Sequence, residues 1–288
     1  MSLEIHHVGV LGAGTMGNGI AQTFAAAGFP VIMRDIKPEY VDRGMATIAR
    51  SLERLAARGK LPAEARDATL ARIRPTPEMK DLAGCDLVVE AVLENYELKA
   101  GIIHELDAIC GERAIFATNT SSISVTQIAA ASRRPERVVG MHFFNPVPMM
   151  QLVEVIRALQ TSDAVCGSVI TLVDSLGKQA RVSKDSYGFV VNRVLIPMIN
   201  EGINCVYEGL AAPEDVDAMM KLGANHPMGP LSLADLIGLD IVLDIMQTLY
   251  SGFDDPKYRP SPLLKQMCDA GYLGRKSGRG FFTYEAHA

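Results

Sequence analysis

The stretch Gly12-Ala13-Gly14-Thr15-Met16-Gly17 decides the fold. An apolar run, Ile5 to Leu11, precedes it and reads as a buried strand. An Ala-rich run, Asn18 to Ala27, follows and reads as a helix. A second apolar run, Pro30 to Met33, leads to Asp35. Strand, glycine turn, helix, strand and acidic residue together describe a dinucleotide-binding βαβ unit. In that reading Gly12 permits the tight turn, Gly14 lets the backbone approach a pyrophosphate, and Gly17 lets the helix pack close to the strand. The loop, with Thr15 and Met16, opens a helix N-terminus whose N–H groups and partial positive charge suit phosphates. Asp35 is placed to accept hydrogen bonds from ribose hydroxyls.

Outward from this unit the alternation continues. Val88 to Val92, Ala114 to Thr118 and Val138 to Phe143 read as further buried strands, with Leu152 to Ile156 and Gln179 to Val182 as additional candidates. Such alternation implies a mostly parallel sheet covered on both faces. Pro38 to Gly59 and Pro62 to Ile73 read as two helices that interrupt the pattern, an inserted pair over about 38–73 that protrudes from it. The texture changes near Asp185. Tyr187 to Leu210 is a long, largely apolar helical run with Pro197 placed to kink it. Pro213 suits a first helical position, with Glu214 and Asp215 in its first turn. Leu231 to Tyr250 is apolar at helical length, and Ser261 to Ala270 reads as a last helix. The expected fold is α/β: a Rossmann-type doubly wound sheet over 1–185, then an all-helical domain over 186–288. Helices apolar nearly all round need burial on most sides. In a domain of about one hundred residues, part of that burial points to a partner subunit, and a homodimer is the commonest form.

The chain has 288 residues, 48% of them apolar, enough for a sizeable core. A net charge of −5 argues against a nucleic-acid surface. No run is long or apolar enough to span a membrane. Met1 to Glu4 enter the first strand without a basic n-region or apolar h-region, so no secretory signal is expected. The five cysteines, Cys85, Cys110, Cys166, Cys205 and Cys268, are scattered and form no CxxC pair. They suit a reducing, cytoplasmic setting, and no metal site is expected.

His142 lies at the end of a strand, where open α/β sheets bind ligands. Glu154 lies twelve residues on, inside the apolar run Leu152 to Ile156. A carboxylate there is costly unless paired, and a histidine is a suitable partner. The two read either as a base with its orienting carboxylate or as a structural ion pair. Asn119 to Ser122 at another strand exit could bond a nicotinamide or a substrate hydroxyl, or form a turn with a helix cap. Asn192 and Arg193 interrupt an apolar helix start and need partners, whether in a site or at a domain interface. Arg50, Arg54 and Arg58 fall at i, i+4 and i+8 and line one helix face, facing either an anionic ligand or solvent.

Taken together, the motifs resemble the L-3-hydroxyacyl-CoA dehydrogenase family, most of all the stand-alone bacterial 3-hydroxybutyryl-CoA dehydrogenases. The resemblance spans nearly the whole chain. It is carried by Val10-Leu-Gly-Ala-Gly-Thr-Met-Gly17, Val89-Glu-Ala-Val-Leu-Glu-Asn95, Thr118-Asn-Thr-Ser-Ser122 and Gly140-Met-His-Phe-Phe-Asn-Pro146. It continues in Asp185-Ser-Tyr-Gly-Phe-Val-Val-Asn-Arg193, Asn225-His-Pro-Met-Gly-Pro230 and Gly274-Arg-Lys-Ser-Gly-Arg-Gly-Phe281, with no departure at a motif position. The resemblance implies reversible hydride transfer between NAD and C3 of an (S)-3-hydroxyacyl-CoA. It implies His142 as general acid and base with Glu154 as partner, and Ser121 and Asn192 holding the substrate oxygen. It places Asn145 in the nicotinamide region, Asp35, Glu94 and Lys99 on the NAD side, and Lys276 reaching back from the C-terminal tail. It places Ser51, with the basic helix of Arg54 and Arg58, near coenzyme A, and dimerisation in the helical domain.

Two other readings compete. One is a dehydrogenase on the same scaffold acting on a CoA-free sugar acid or hydroxy acid. The other is a dinucleotide-binding protein without catalysis, whose mark would be a missing base or carboxylate. His142 and Glu154 are both present.

Overall fold

Val8–Leu11 (β1) is buried at every position, a pattern that suits only the interior of a sheet covered on both faces. The computed structural model describes residues 4–59 and 61–285. In it the further strands are Val31–Arg34 (β2), Ile73–Thr76 (β3), Leu87–Glu90 (β4), Ile115–Thr118 (β5), Val138–Phe143 (β6), Leu152–Arg157 (β7) and Gln179–Lys184 (β8). They form one sheet in the order β3-β2-β1-β4-β5-β6-β7-β8. The first six strands in that order pair in parallel. β7 runs antiparallel to β6, and β8 runs parallel to β7. The order reverses between β1 and β4, so the sheet is doubly wound with its ligand crevice at their carboxyl ends. This is the Rossmann-type fold expected from the glycine loop.

The intervening helices are Thr15–Ala26 (α1), Pro38–Ala57 (α2), Ala63–Ala71 (α3), Tyr96–Ile109 (α4), Val125–Ala130 (α5) and Asp163–Ser175 (α6). The pair α2–α3 does not protrude as expected. It is the crossover from β2 to β3, and Val41, Ile48 and Leu52 bury one face of α2 in the same core as Ile20 and Phe24 of α1. The period of 3.6 that lines up the arginines on one face lines up these apolar residues on the other. β3 was not expected at all. It has only four residues, Pro75 among them and two exposed, which is how an edge strand reads.

The chain divides into two compact units, Met1–Ser186 and Tyr187–Ala288. Within the second, Val191–Tyr207 (α7), Pro213–Ala224 (α8), Pro230–Ile237 (α9), Leu239–Phe253 (α10) and Pro262–Asp269 (α11) surround a core that includes Ile199, Leu231, Val242, Met246 and Leu249. α7 begins four residues later than expected, because Gly188 and Phe189 take φ of 70° and 49°. It then runs through Pro197 as one helix. The single helix expected over Leu231–Tyr250 is two. Gly238 at φ 106° separates α9 from α10, and only glycine adopts that angle without strain.

Candidate active site

The glycine loop behaves as its spacing requires. Gly12 has φ 95°, and a Cβ there would lie 2.5 Å from Ala91 O. A Cβ on Gly17 would meet Gly12 O at 1.7 Å, so helix and loop touch backbone to backbone. A Cβ on Gly14 would meet nothing within 4 Å. Gly14 thus has open space beside it and lines the cavity at this loop. Gly14 is also the N-cap of α1, and no side chain caps that end, as suits a phosphate-binding terminus. Asp35 is fixed to the loop: Ala13 N–H donates to its Oδ2 and Ile36 N–H to its Oδ1, each at 2.7 Å.

A cavity of about 600 Å³ opens from this loop. Ala13, Gly14, Thr15 and Asp35 line one side, Asn145 to Pro148 another, and the polar face of α2 a third. That face presents Tyr40, Arg43, Thr47, Ser51 and Arg54. Ser51 and Arg54 were expected near coenzyme A. Tyr40, Arg43 and Thr47 were not singled out, although they continue the same helical stripe. Arg43 stacks on Tyr40 at 4.7 Å, and Arg50 bonds the Thr47 hydroxyl at 3.1 Å. Arg58 is exposed at the C-cap of α2, beyond this lining.

Toward the β8 side of the sheet, His142 and Glu154 are direct register partners across the antiparallel β6–β7 pair. Twelve residues is the hairpin distance that sets them side by side on one face. His142 Nδ1 lies 2.8 Å from Glu154 Oε2, and both side chains are buried. An ionised carboxylate only accepts, so Nδ1 carries the proton toward it. Phe144 packs against the His142 ring with centroids 4.5 Å apart. Asn119 Oδ1 accepts from Phe143 N–H at 2.9 Å, which ties the exit of β5 to the residue after His142.

Ser121 sits in a turn built on one carboxylate oxygen. Glu94 Oε1 accepts from the Thr120 hydroxyl (2.6 Å), Ser121 N–H (2.9 Å), Ser122 N–H (3.0 Å) and the Ser122 hydroxyl (2.9 Å). Burial opposes the charge on Glu94. The Lys99 ammonium and these hydrogen bonds outweigh it and hold the carboxyl below its usual range. Lys99, expected on the cofactor side, is instead 1% exposed, its ammonium between Glu90 and Glu94. An ammonium that deep needs carboxylate partners, and Lys99 has two of them. Glu90 was missed, yet its signal was the one that drew attention to Glu154: a carboxylate inside an apolar run. Ser124, not Ser121, caps α5, and Asp185 accepts from the Ser124 hydroxyl at 2.7 Å. In the helical unit, Asn192 is buried on the first turn of α7, and Arg193 stacks on Phe253 at 4.5 Å. Lys276 pairs with Asp240 at 2.5 Å. No cluster of metal-binding side chains occurs among the described residues.

Family models match both units: the 3-hydroxyacyl-CoA dehydrogenase NAD binding domain over residues 7–186, and the C-terminal domain of the same family over 188–284. The chain belongs to the 3-hydroxyacyl-CoA dehydrogenase family. It is 54% identical to a probable 3-hydroxybutyryl-CoA dehydrogenase of Deinococcus radiodurans, over 96% of this chain and 99% of that one. It is 52% identical to the 3-hydroxybutyryl-CoA dehydrogenase of Bradyrhizobium diazoefficiens, over 99% and 97%. The crystal structure of (S)-3-hydroxybutyryl-CoA dehydrogenase from Ralstonia eutropha superposes with a TM-score of 0.96 at 53% identity, covering 98% of this chain and all of that one. The chain is thus an NAD-dependent oxidoreductase of the 3-hydroxyacyl-CoA dehydrogenase family, and the glycine loop, Asp35 and the space above Gly14 are fit to hold NAD.

Proposed function

We propose that the chain interconverts (S)-3-hydroxybutyryl-CoA and acetoacetyl-CoA, with His142 as the acid–base group. The observation that carries this reading is the His142–Glu154 pair at the ligand end of β6. Glu154 orients the ring through Nδ1 and offsets the charge of the imidazolium. Nε2 then takes the 3-hydroxyl proton in oxidation and returns it to the keto oxygen in reduction. A bound NAD would supply the hydride acceptor for C3. Ser121 and Asn192 hold the substrate oxygen, and Asn145 borders the nicotinamide end of the cavity. Asp35 takes the ribose, and Glu94 and Lys276 serve the cofactor. Ser51, Arg54 and Arg58 serve the anionic end of coenzyme A, where guanidinium groups bind phosphate well.

The four-carbon preference rests on the names of the full-length relatives. The chain also self-associates through its helical unit. Leu222, Leu210, Val194 and Met219 are exposed there at 87%, 75%, 68% and 64%, apolar side chains that a second copy would cover. The cytoplasm is the setting that five unpaired cysteines suit, and no described helix is long and apolar enough to cross a membrane. Steady-state kinetics with 3-ketoacyl-CoA thioesters of increasing length, and with free acetoacetate, test the substrate. The four-carbon thioester is expected to give the highest kcat/KM. Equal use of the free acid, or no thioester turnover, would overturn the reading.

A further inference from the structure

A buried ion-pair chain lies beneath the Ser121 turn, and the proton and hydride steps do not use it. Glu90 ends β4 at the switch point of the sheet and is fully buried. Its Oε1 accepts from Lys99 Nζ at 3.0 Å and from the Thr118 hydroxyl. Its Oε2 accepts from Lys99 Nζ at 2.9 Å and from Val92 N–H at 3.3 Å. The same Lys99 ammonium lies 3.3 Å from Glu94 Oε2. One cation thus serves two carboxylates, and only the outer one touches the turn that carries Ser121.

A buried pair of this kind is a poor device for stability, since apolar residues of similar volume do as well or better. Its consequence here is positional. Glu90 is anchored by two strand ends, β4 and β5, through its own backbone and Thr118. It fixes Lys99 from below, so the ammonium meets Glu94 at a place set by the sheet. Glu94 in turn sets where the Ser121 and Ser122 amides lie. We propose that Glu90 is a positioning residue for the reaction, acting through Lys99 and Glu94 on the backbone of Ser121 and Ser122. This rests on the role given to Ser121 above. The charge kept on Glu94 by Lys99 and its hydrogen bonds agrees with it.

The test compares the unmodified full chain with Glu90→Gln and with the double variant Glu90→Leu/Lys99→Met. It measures kcat and KM for acetoacetyl-CoA, thermal midpoint, and amide hydrogen exchange over 119–123. Glu90→Gln should lower both the midpoint and kcat. The apolar double variant should regain the midpoint while kcat stays on the order of tenfold to a hundredfold low, the loss expected of a group held out of place. KM for NADH should move less than kcat, and the amides of 121 and 122 should exchange faster in both variants. Recovery of kcat together with the midpoint would overturn the proposal, as would unchanged exchange. If the double variant does not fold, Glu90→Asp decides: it shortens the reach to Lys99, and unchanged kcat and exchange would overturn the proposal equally. If the unmodified chain turns over no acyl-CoA, the substrate reading fails, and the exchange data still decide the role of Glu90.

Discussion

At the scale of single residues, the proposed roles each make a measurable difference. His142→Ala should lower kcat at least about a hundredfold while NADH binding stays near normal, because general acid–base help is worth about 10² to 10⁴. Glu154→Gln should also lower kcat, since the imidazolium loses its counter-charge while the shape remains. Near-normal turnover in both variants would remove the pair from the chemistry. The proposed role of Asp35 sets an expectation for cofactor preference. Its two oxygens are already tied to backbone amides, so its charge stays where a 2′-phosphate would come. kcat/KM for NADH should exceed that for NADPH at least about tenfold, a difference of about 1.4 kcal/mol. Equal use of NADPH would mean that Lys37 or Arg34 compensates the charge. Glu94 gives the pH dependence. Its carboxyl is depressed in the folded chain from an ordinary value of 4.5. A depressed carboxyl contributes stability that is fully present above its unfolded value and lost as pH falls through the folded one. The thermal-midpoint gap between the unmodified chain and Glu94→Gln should therefore be constant above about pH 5 and shrink in the window below 4.5. A gap that ignores pH would leave Glu94 without this role.

Among elements, the β1–α1 turn states most sharply what the sequence already contains. Gly12, Gly14 and Gly17 have three different reasons to lack a side chain, and the three neighbourhoods differ accordingly. Gly17→Ala forces Cβ into Gly12 O and should destabilise the chain, with a lowered thermal midpoint. Gly14→Ala meets no protein atom and has ordinary φ and ψ of −66° and −168°. It should leave the midpoint nearly unchanged and raise KM for NADH. Titration of NADH fluorescence beside thermal denaturation separates the two, and matching losses of stability would contradict the reading of Gly14. The two apolar runs of β6 and β7, and a histidine as partner for the carboxylate, were legible for the same kind of reason, whereas their antiparallel register appears only in the fold. What escaped was set by tertiary context. β3 is too short and too polar to declare itself before β2 offers it an edge. The break at Gly238 is invisible in an apolar run, where an isolated glycine is tolerated inside a helix and can also end one. Glu90 and Lys99 sit on different elements, and only the fold brings them together.

For the whole molecule, the two family matches and the two compact units follow the change in texture near Asp185 that the sequence displays. The proposed self-association is a property of this same scale. On α8, Met219 and Leu222 stand three residues apart on one face, exposed at 64% and 87%. A long apolar side chain left in water at such a level forgoes about 1.5–3 kcal/mol of burial. In the proposed dimer, two such side chains from each copy would be enough to matter for association. Sedimentation equilibrium should therefore give twice the chain mass at micromolar concentration. Leu222→Glu places a charge where burial is expected and should raise the dissociation constant at least about tenfold, equivalent to about 1.4 kcal/mol. The substitution lies on a solvent-facing position of the single chain, so the far-ultraviolet circular dichroism of the variant should match that of the unmodified chain. A monomer in the unmodified protein, or a dimer indifferent to Leu222→Glu and Met219→Glu alike, would show that this face of α8 belongs to solvent.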